Sequence, residues 1–287
     1  MNPFERAAWQ PQYLDVDDAR LAHYIAGRGE ETVVWLHGLP LDSRSWQAQR
    51  EYFDLLACNV FVDLRGYGAS SKLPPDFSDV TQLYTDDLDR LLMHLDLRGM
   101  ALIGFASAGH VALRFAAQHP DRLAKLAVIN ASPRFRRGGD WPWGFDDAGI
   151  DRFVQIGREG GIEALTDVIL EPGTVFRDVG PHEAQGLREW FGAMSRTAGT
   201  DTLMGFFEGI ARDDDRHLLG SVATPTLVVT SGLGREVPSD VGLYLRAHIA
   251  ESCLVELPGA DHFVFATRPR LVNELLARFL FATPEPL

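Results

Sequence analysis

A strand-like run that passes through small residues into a helical pattern constrains the fold of this chain most strongly. The apolar run covers residues 100–105, and the helical pattern covers residues 110–118. A sharp turn between two such elements strains its apical residue and tolerates only small neighbours two positions to either side. Gly104 and Ala108 meet this requirement around Ala106. The segment therefore predicts a nucleophile elbow with Ala106 at the nucleophile position.

Two other interpretations of this segment remain open. In a shifted register, Ser107 stands at the apex and Phe105 and Gly109 flank the turn, but the ring of Phe105 would then fill a crowded position. The segment is also compatible with an ordinary crossing from a strand to a helix through small residues. We favour Ala106 at the apex, because both residues two positions away from it are small.

Strand-like segments alternate with helical patterns along most of the chain. The predicted parallel strands are residues 32–37, 58–63, 100–105, 125–130, 225–230 and 253–257. Two earlier strands, near residues 12–16 and 21–26, form a predicted hairpin at the sheet edge. Leucines at helical spacing predict a surface helix over residues 81–97. This pattern predicts an α/β fold with a mostly parallel, doubly wound sheet covered on both faces.

The alternation breaks between about residues 132 and 221, where helical stretches rich in large apolar side chains replace it. We expect one compact unit made of a core, residues 1–133 and 221–287, and an inserted helical cap, residues 134–220. Some aromatic residues of the cap should form its own core, which is the default for an aromatic residue at helical spacing. A subset is expected to bind substrate by roofing an apolar cavity above position 106: Trp141, Trp143, Phe145 and Trp190.

Three further segments resemble the α/β-hydrolase family, and the resemblance extends over nearly the whole chain. The strand at residues 32–37 ends in His-Gly-Leu-Pro, similar to the oxyanion turn of the family. Residues 64–70 (Leu-Arg-Gly-Tyr-Gly-Ala-Ser) resemble its glycine-rich turn. Residues 258–263 (Pro-Gly-Ala-Asp-His-Phe) resemble the loop that carries its catalytic histidine. The resemblance implies an α/β-hydrolase fold with an inserted helical cap.

The resemblance also implies roles for single residues. The backbone amides of Leu39 and Ser107 would form the oxyanion hole. His262 follows the elbow in the usual chain order and would be the general base. His37 would support the oxyanion turn by packing and hydrogen bonding.

The acid that orients the histidine is absent from its usual position. The family typically carries an aspartate four residues before the proline that here is Pro238, and Gly234 stands at that position. A minority of members draw the acid from the end of an earlier strand, where this chain has Asn130. Two nearby carboxylates, Glu236 and Asp240, are expected to be solvated surface charges. Asp140 and Asp261 are weaker candidates for the group that orients the histidine.

Ala106 decides between hypotheses about function. A methyl group cannot attack a carbonyl carbon, so the acyl-enzyme route of serine hydrolases is closed. The alanine is either a deliberate replacement of serine in an active enzyme or a product of natural divergence. Gly234 adds weight to divergence, because one deliberate change does not explain it. The leading hypothesis is a hydrolase of carboxylic ester or lactone type that is inactive in covalent hydrolysis as written.

The first residues of the cap indicate the ancestral substrate. Residues 131–135 (Ala-Ser-Pro-Arg-Phe) and 140–142 (Asp-Trp-Pro) resemble pimeloyl-carrier methyl esterases and related enol-lactone hydrolases. The partner is then an apolar small molecule. An alternative hypothesis is a natural non-hydrolytic member: a ligand-binding protein, or a lyase, cyclase or isomerase in which His262 is a general base beside the oxyanion hole. A third hypothesis, a structural or interaction protein, predicts a filled pocket.

Charge and composition exclude several classes of partner. The formal net charge of -13 argues against nucleic acid, because phosphate binding needs clustered Lys and Arg. The basic cluster Arg134–Arg137 is expected to be a solvated loop, with contact to an acidic substrate as the alternative. We expect no cofactor and no metal ion.

The compartment is predicted from the cysteines and the first residues. Cys58 and Cys253 match neither metal-site nor disulfide spacing and are expected to be buried free thiols in a reducing compartment. Residues 1–6 lack the features of a signal peptide, and no apolar run approaches the length of a membrane span. We therefore expect a cytoplasmic protein without a membrane partner.

Overall fold

The computed structural model describes residues 9–17, 19–74 and 79–281, and eight strands form one sheet in it. The strands are β1 (Gln12–Val16), β2 (Ala19–Gly27), β3 (Thr32–Leu36), β4 (Cys58–Val62), β5 (Met100–Phe105), β6 (Leu123–Ile129), β7 (Thr226–Ser231) and β8 (Ser252–Leu257). Their spatial order is β1-β2-β4-β3-β5-β6-β7-β8. The pairs β1–β2 and β2–β4 are antiparallel, and the other pairs are parallel. The predicted mostly parallel sheet is confirmed.

Helices cover both faces of this sheet. They are α1 (Gln47–Phe53), α2 (Val80–His94), α3 (Ser107–Gln118), α4 (Asp147–Ile169), α5 (Pro172–Val175), α6 (Pro181–Ala198), α7 (Thr200–Ile210), α8 (Ser239–His248), α9 (Val264–Thr267) and α10 (Pro269–Phe281). Two 3-10 turns lie at Ser43–Trp46 and Arg216–Ser221. The predicted surface helix is α2, and the Asp79 side chain caps it by accepting the Gln82 amide at 2.8 Å.

The central strands alternate their side chains between two buried layers. On β5, Leu102 packs in one apolar cluster and Ile103 in the other. The fully buried Trp35 of β3 lies in the same cluster as Ile103. Parallel strands covered by helices on both faces bury nearly every side chain. This burial explains why the strands appear in the sequence as continuous apolar runs.

Helices α4 to α7 lie between β6 and β7 in the chain and form the helical insertion. The rings of Phe153 and Phe207 stack with centroids 4.1 Å apart, and Phe145 packs on Phe207 at 5.0 Å. Helix α4 bends at Gly161, where φ is 64°, a conformation that glycine adopts without steric cost. Phe153 and Phe207 lie in the same buried apolar cluster as Leu102 of the sheet, so the core of the insertion is continuous with that of the sheet and not separate from it. The cap boundaries at residues 134 and 220 stay a prediction.

Several local expectations need correction. Cys253 is exposed because β8 lies at the edge of the sheet, and Cys58, the first residue of β4, is only half-buried. Residues Ala19 and Arg20, which were predicted to lie in the hairpin turn, belong to β2. In the described part of the chain, no helix is long and apolar enough to cross a membrane. The expectation about a signal peptide concerns residues 1–6, which lie outside the described residues.

Candidate active site

The turn between β5 and α3 places Ala106 at its apex. Ala106 has φ 48° and ψ -114°, and its amide donates to the carbonyl of Ile129 at 2.9 Å. Ser107 is the first residue of α3. A Cβ atom on Gly104 would lie 2.6 Å from the carbonyl oxygen of Ala108, so this position accepts no side chain. The backbone thus has the form of a nucleophile elbow with a methyl group at its apex.

The turn after β3 packs directly against this elbow. A Cβ atom on Gly38 would lie 2.8 Å from the carbonyl oxygen of Phe105 and 3.3 Å from the methyl carbon of Ala106. His37 is buried beside it and accepts a hydrogen bond from the Leu64 amide at Nε2, at 3.1 Å. Burial lowers the pKa of His37 to about 4, so this ring stays neutral at pH 7. These contacts fit the supporting part expected for His37.

Leu39 and Ser107, the two residues expected to form the oxyanion hole, are in contact. The Leu39 amide donates a hydrogen bond to the Ser107 Oγ atom at 3.0 Å. Both residues line the same cavity as Ala106. One of the two expected donors is therefore already engaged by a side chain of this chain.

His262 lies in the loop after β8 and lines the same cavity. Its ring packs on Phe105 with centroids 5.0 Å apart. Among the described residues, the buried Nδ1 atom of His262 has no hydrogen-bond partner. Burial lowers the pKa of His262, and the charges of Glu236 and Asp261 oppose that effect. The imidazole is consequently neutral at pH 7 and able to accept a proton.

Asn130, at the end of β6, holds the backbone of the histidine loop. Its Nδ2 donates to the carbonyl of His262 at 2.7 Å and to Ser231 Oγ at 2.9 Å, while its Oδ1 accepts from the Ser231 amide at 2.9 Å. Its φ is 49°, a left-handed conformation that asparagine adopts more readily than most residues. This role was not predicted from the sequence, although an asparagine directly after a buried strand was a usable signal.

The two possible orienters, Asp261 and Asp140, bind arginines, and Asp240 is a surface charge as expected. Asp261 accepts two hydrogen bonds from the Arg177 guanidinium, at 2.8 and 2.9 Å, and one from the backbone amide of His262 at 2.9 Å. Asp140 pairs with Arg216 at 3.0 Å and is exposed. Asp240 lies exposed in the first turn of α8. None of the three carries a hydrogen bond to the His262 ring.

The loop at the usual acid position is closed. A Cβ atom on Gly234 would lie 2.7 Å from the carbonyl oxygen of Val237, closer than real Cβ atoms approach. Glu236, two residues later, lines the cavity, and its Oε2 atom is buried without a partner among the described residues. The expectation that Glu236 is a solvated surface charge is therefore corrected.

A cavity of about 390 Å³ lies above Ala106, between the sheet and the helical insertion. Of the four aromatic residues expected to roof it, Phe145 lines it. Trp141 instead donates to the carbonyl of Arg134 at 3.1 Å and packs on Trp143 and Tyr244, and Trp190 packs on Phe191. The apolar lining that was not predicted from the sequence comes mainly from Phe135, Phe153, Phe206, Phe207, Ile210 and Phe263.

The basic cluster at the start of the insertion faces acidic partners instead of the cavity. Arg134 pairs with Asp214 at 3.0 Å, and Arg136 pairs with Asp147 at 2.8 Å. Within residues 134–137, Phe135 is the cavity-lining side chain. A contact of the cluster's arginines with an acidic substrate in this cavity therefore receives no support.

Residues 33–275 match the model of the alpha/beta hydrolase family, and the chain belongs to that family. It is similar to the hydrolase superfamily protein YisY of Bacillus subtilis, with 29% identity over 255 residues that cover 86% of this chain and 90% of the relative. It is also similar to the pimeloyl-acyl-carrier-protein methyl ester esterase of Chromobacterium violaceum, with 27% identity covering 88% of this chain and 95% of the relative. Among solved structures, the bromoperoxidase of Bacillus anthracis superposes with a TM-score of 0.85 at 25% identity, covering 95% of this chain and 100% of that chain.

Proposed function

We propose that this chain is a natural, non-hydrolytic member of the alpha/beta hydrolase family that binds an apolar small molecule above Ala106. The observation that carries this proposal is the closed loop at Gly234, where a Cβ atom would meet the Val237 carbonyl at 2.7 Å. The chain has lost the space for the acid as well as the acid itself. A single deliberate replacement of serine leaves such a loop unexplained.

The magnitudes of the two losses support the same conclusion. In a serine hydrolase, loss of the nucleophile costs about a millionfold in turnover, and loss of the acid alone costs about ten-thousandfold. A chain that lacks both has no covalent route to an ester at a useful rate. The groups that remain are the backbone amides of the elbow and a neutral His262.

His262 is the group that would exchange a proton with the bound molecule. A buried neutral imidazole serves as a general base when the acidic proton lies within hydrogen-bond reach. The apolar cavity of about 390 Å³ falls within the size range of small-molecule sites. An apolar ligand with one polar group near Ala106 fits this combination, either as a bound effector or as the substrate of a lyase, cyclase or isomerase reaction.

One observation favours a second candidate function. The chain would then be a carboxylic ester or lactone hydrolase that is inactive only because alanine replaces the nucleophilic serine at position 106. Ala106 keeps φ 48° and ψ -114°, and such conformations cost about 1–3 kcal/mol. An elbow that keeps this strain without a nucleophile is expected when only the side chain has changed. The third hypothesis, an interaction protein, predicts a filled pocket and is disfavoured by the open cavity.

Blocking the cavity tests ligand binding. Val168 lines the cavity and is 48% exposed, so Val168→Trp adds bulk at the mouth without filling the core. Neutral ketones and lactones that bind should stabilise the unmodified chain in a thermal-shift assay, by about 2.7 kcal/mol at a hundredfold excess over Kd. Val168→Trp should abolish that stabilisation.

Leu243→Trp is the matched control, because Leu243 is a similarly exposed apolar residue of α8 that lies outside the cavity lining. It should leave the stabilisation unchanged. If ligands stabilise both tryptophan variants equally, the proposed function is contradicted. It is also contradicted if no ketone or lactone stabilises the unmodified chain.

A further inference from the structure

The Ser107 hydroxyl stands where a bound oxygen would meet the Leu39 amide. The Leu39 amide hydrogen points at Ser107 Oγ, with nitrogen and oxygen 3.0 Å apart. In an oxyanion hole, the two amide donors must be free to converge on the oxygen that gains charge. A side-chain oxygen on one donor weakens this convergence.

The same hydroxyl remains able to donate. A serine hydroxyl has one proton and two lone pairs, and the Leu39 amide uses one lone pair. Within the described residues, the Ser107 hydroxyl donates no hydrogen bond. Ser107 lines the cavity beside Ala106 and His262. The Ser107 hydroxyl can therefore donate its proton to a molecule in the cavity, whose lining is otherwise mostly apolar.

We propose that the Ser107 side chain replaces the oxyanion at the Leu39 amide and itself donates to the ligand, so that the site selects a neutral carbonyl or hydroxyl oxygen on an apolar molecule. This inference rests on the proposed function and names its ligand class. A hydroxyl that accepts from an amide is polarised toward donation. A single such donor suits a neutral oxygen, whereas a tetrahedral oxyanion needs both amides.

The first test measures whether Ser107 blocks the hole. In Ala106→Ser, the introduced hydroxyl can attack the phosphorus of diethyl p-nitrophenyl phosphate; p-nitrophenolate leaves and His262 takes the hydroxyl proton. The variants to compare are Ala106→Ser, Ala106→Ser/Ser107→Ala and Ala106→Ser/Ser107→Thr, with nitrophenolate release and intact mass as readouts. Ala106→Ser/Ser239→Ala is the control, because Ser239 begins α8 outside the cavity lining.

Freeing the Leu39 amide should accelerate labelling. We expect Ala106→Ser/Ser107→Ala to react about a hundredfold faster than Ala106→Ser, the usual effect of one oxyanion donor. The threonine and Ser239 variants should react like Ala106→Ser. Equal rates with and without Ser107, including no labelling of either variant, contradict the proposal.

The second test concerns the ligand class in the unmodified chain. Benzylacetone and butylbenzene share an aromatic ring and a four-carbon chain and differ in the carbonyl oxygen. In saturation-transfer NMR, the ketone should bind more tightly than the hydrocarbon, and Ser107→Ala should remove the difference. Equal binding of the two probes, or no binding of the ketone at millimolar concentration, overturns the assigned class.

The two proposals fail in different ways. Labelling is measured on Ala106→Ser proteins, so a negative result there leaves the inertness of the unmodified chain untouched. Hydrolysis of esters by the unmodified chain would overturn the proposed function whatever Ser107 does.

Discussion

The surroundings of the His262 ring determine when it can accept a proton. Burial lowers its pKa, and the Glu236 carboxylate and then Asp261 oppose that effect. Asp261 is paired with Arg177 at 2.8 Å, while Arg235 and Glu236 line the cavity beside the ring. Because the carboxylate of Glu236 has a buried oxygen without a described partner, it is the charge whose removal should affect the ring most.

Glu236→Gln is therefore expected to lower the pKa of His262 further. The variant removes a negative charge that stabilises the imidazolium form. The measurement is an NMR titration of the imidazole resonances, assigned with His262→Gln. Asp240→Asn removes an exposed charge of the same sign and is expected to leave the titration unchanged. An unchanged or raised pKa in Glu236→Gln would refute the part assigned to Glu236.

The sequence predicted Ala106 and His262 as site residues, and both line the cavity, but it did not predict the side chains around them. The elbow is visible in the sequence because its backbone demands small residues at fixed spacing around Ala106. The direction of a loop side chain has no such signature. Glu236 was expected in solvent and lines the cavity, whereas Trp141 was expected in the cavity and packs on Trp143. Tertiary packing decides both cases.

At the scale of elements, the loop between β7 and α8 carries Gly234, the position at which the resemblance to the family places the acid. The Gly234 amide donates to the Ser231 carbonyl at 3.1 Å, which closes a tight turn. In this turn, the Val237 carbonyl oxygen lies against the position that the Cβ atom of a side chain at residue 234 would occupy. An aspartate at position 234 would therefore require the backbone to move.

Gly234→Asp is expected to destabilise the fold by about 1–3 kcal/mol, the usual cost of overpacking. Gly220→Asp is the control, because a Cβ atom at Gly220 meets nothing within 4 Å. Urea unfolding at pH 7 compares the two variants with the unmodified chain. Equal stability of Gly234→Asp and Gly220→Asp would mean that the loop accepts an acid readily and is not closed against one.

The strands were predictable for a physical reason that the loops do not share. Both faces of β5 are buried, so its sequence is apolar throughout and its ends are marked by small or polar residues. β6 begins at Leu123, two residues before its predicted start, because Leu123 pairs with Met100 across a register shift. Such an irregularity depends on the neighbouring strand and leaves no mark in the local pattern.

At the scale of the whole molecule, one buried ionic network joins both ends of the helical insertion to α3. The Asp215 carboxylate accepts hydrogen bonds from Arg114, at 2.6 and 2.9 Å, and interacts with His110 at 2.8 Å. The Asp215 amide donates to the carbonyl of Pro133 at 2.9 Å. Burial acts to raise the pKa of Asp215, but the bonds to His110 and Arg114 hold it well below its ordinary value. The network thus connects the C-terminal end of the insertion, at Asp215, to its N-terminal end, at Pro133, and to α3.

Asp215→Asn is expected to lower the free energy of unfolding by about 3 kcal/mol at pH 7, since it leaves the buried Arg114 short of a partner. The stabilisation from a carboxylate with a lowered pKa is present above its unfolded pKa and is lost as pH falls toward the folded value. The difference between the two proteins in urea unfolding should therefore shrink below about pH 4.

The surface pair of Asp167 and Arg188 provides the control for this prediction. Asp167→Asn should change stability by less than about 1 kcal/mol at any pH. A pH-independent difference for Asp215→Asn would show that the loss comes from packing and not from charge.

We propose that this alpha/beta hydrolase fold lacks covalent hydrolysis because both the nucleophile at position 106 and the acid at position 234 are absent. The most direct test compares hydrolysis of short and medium acyl p-nitrophenyl esters by the unmodified chain and by Ala106→Ser. We expect both to remain inert, because loss of the acid costs about ten-thousandfold and an engaged oxyanion donor about a hundredfold more. Turnover by Ala106→Ser more than about a thousandfold above the unmodified chain, lost again in Ala106→Ser/His262→Ala, would contradict this claim and identify an esterase disarmed at Ala106 alone.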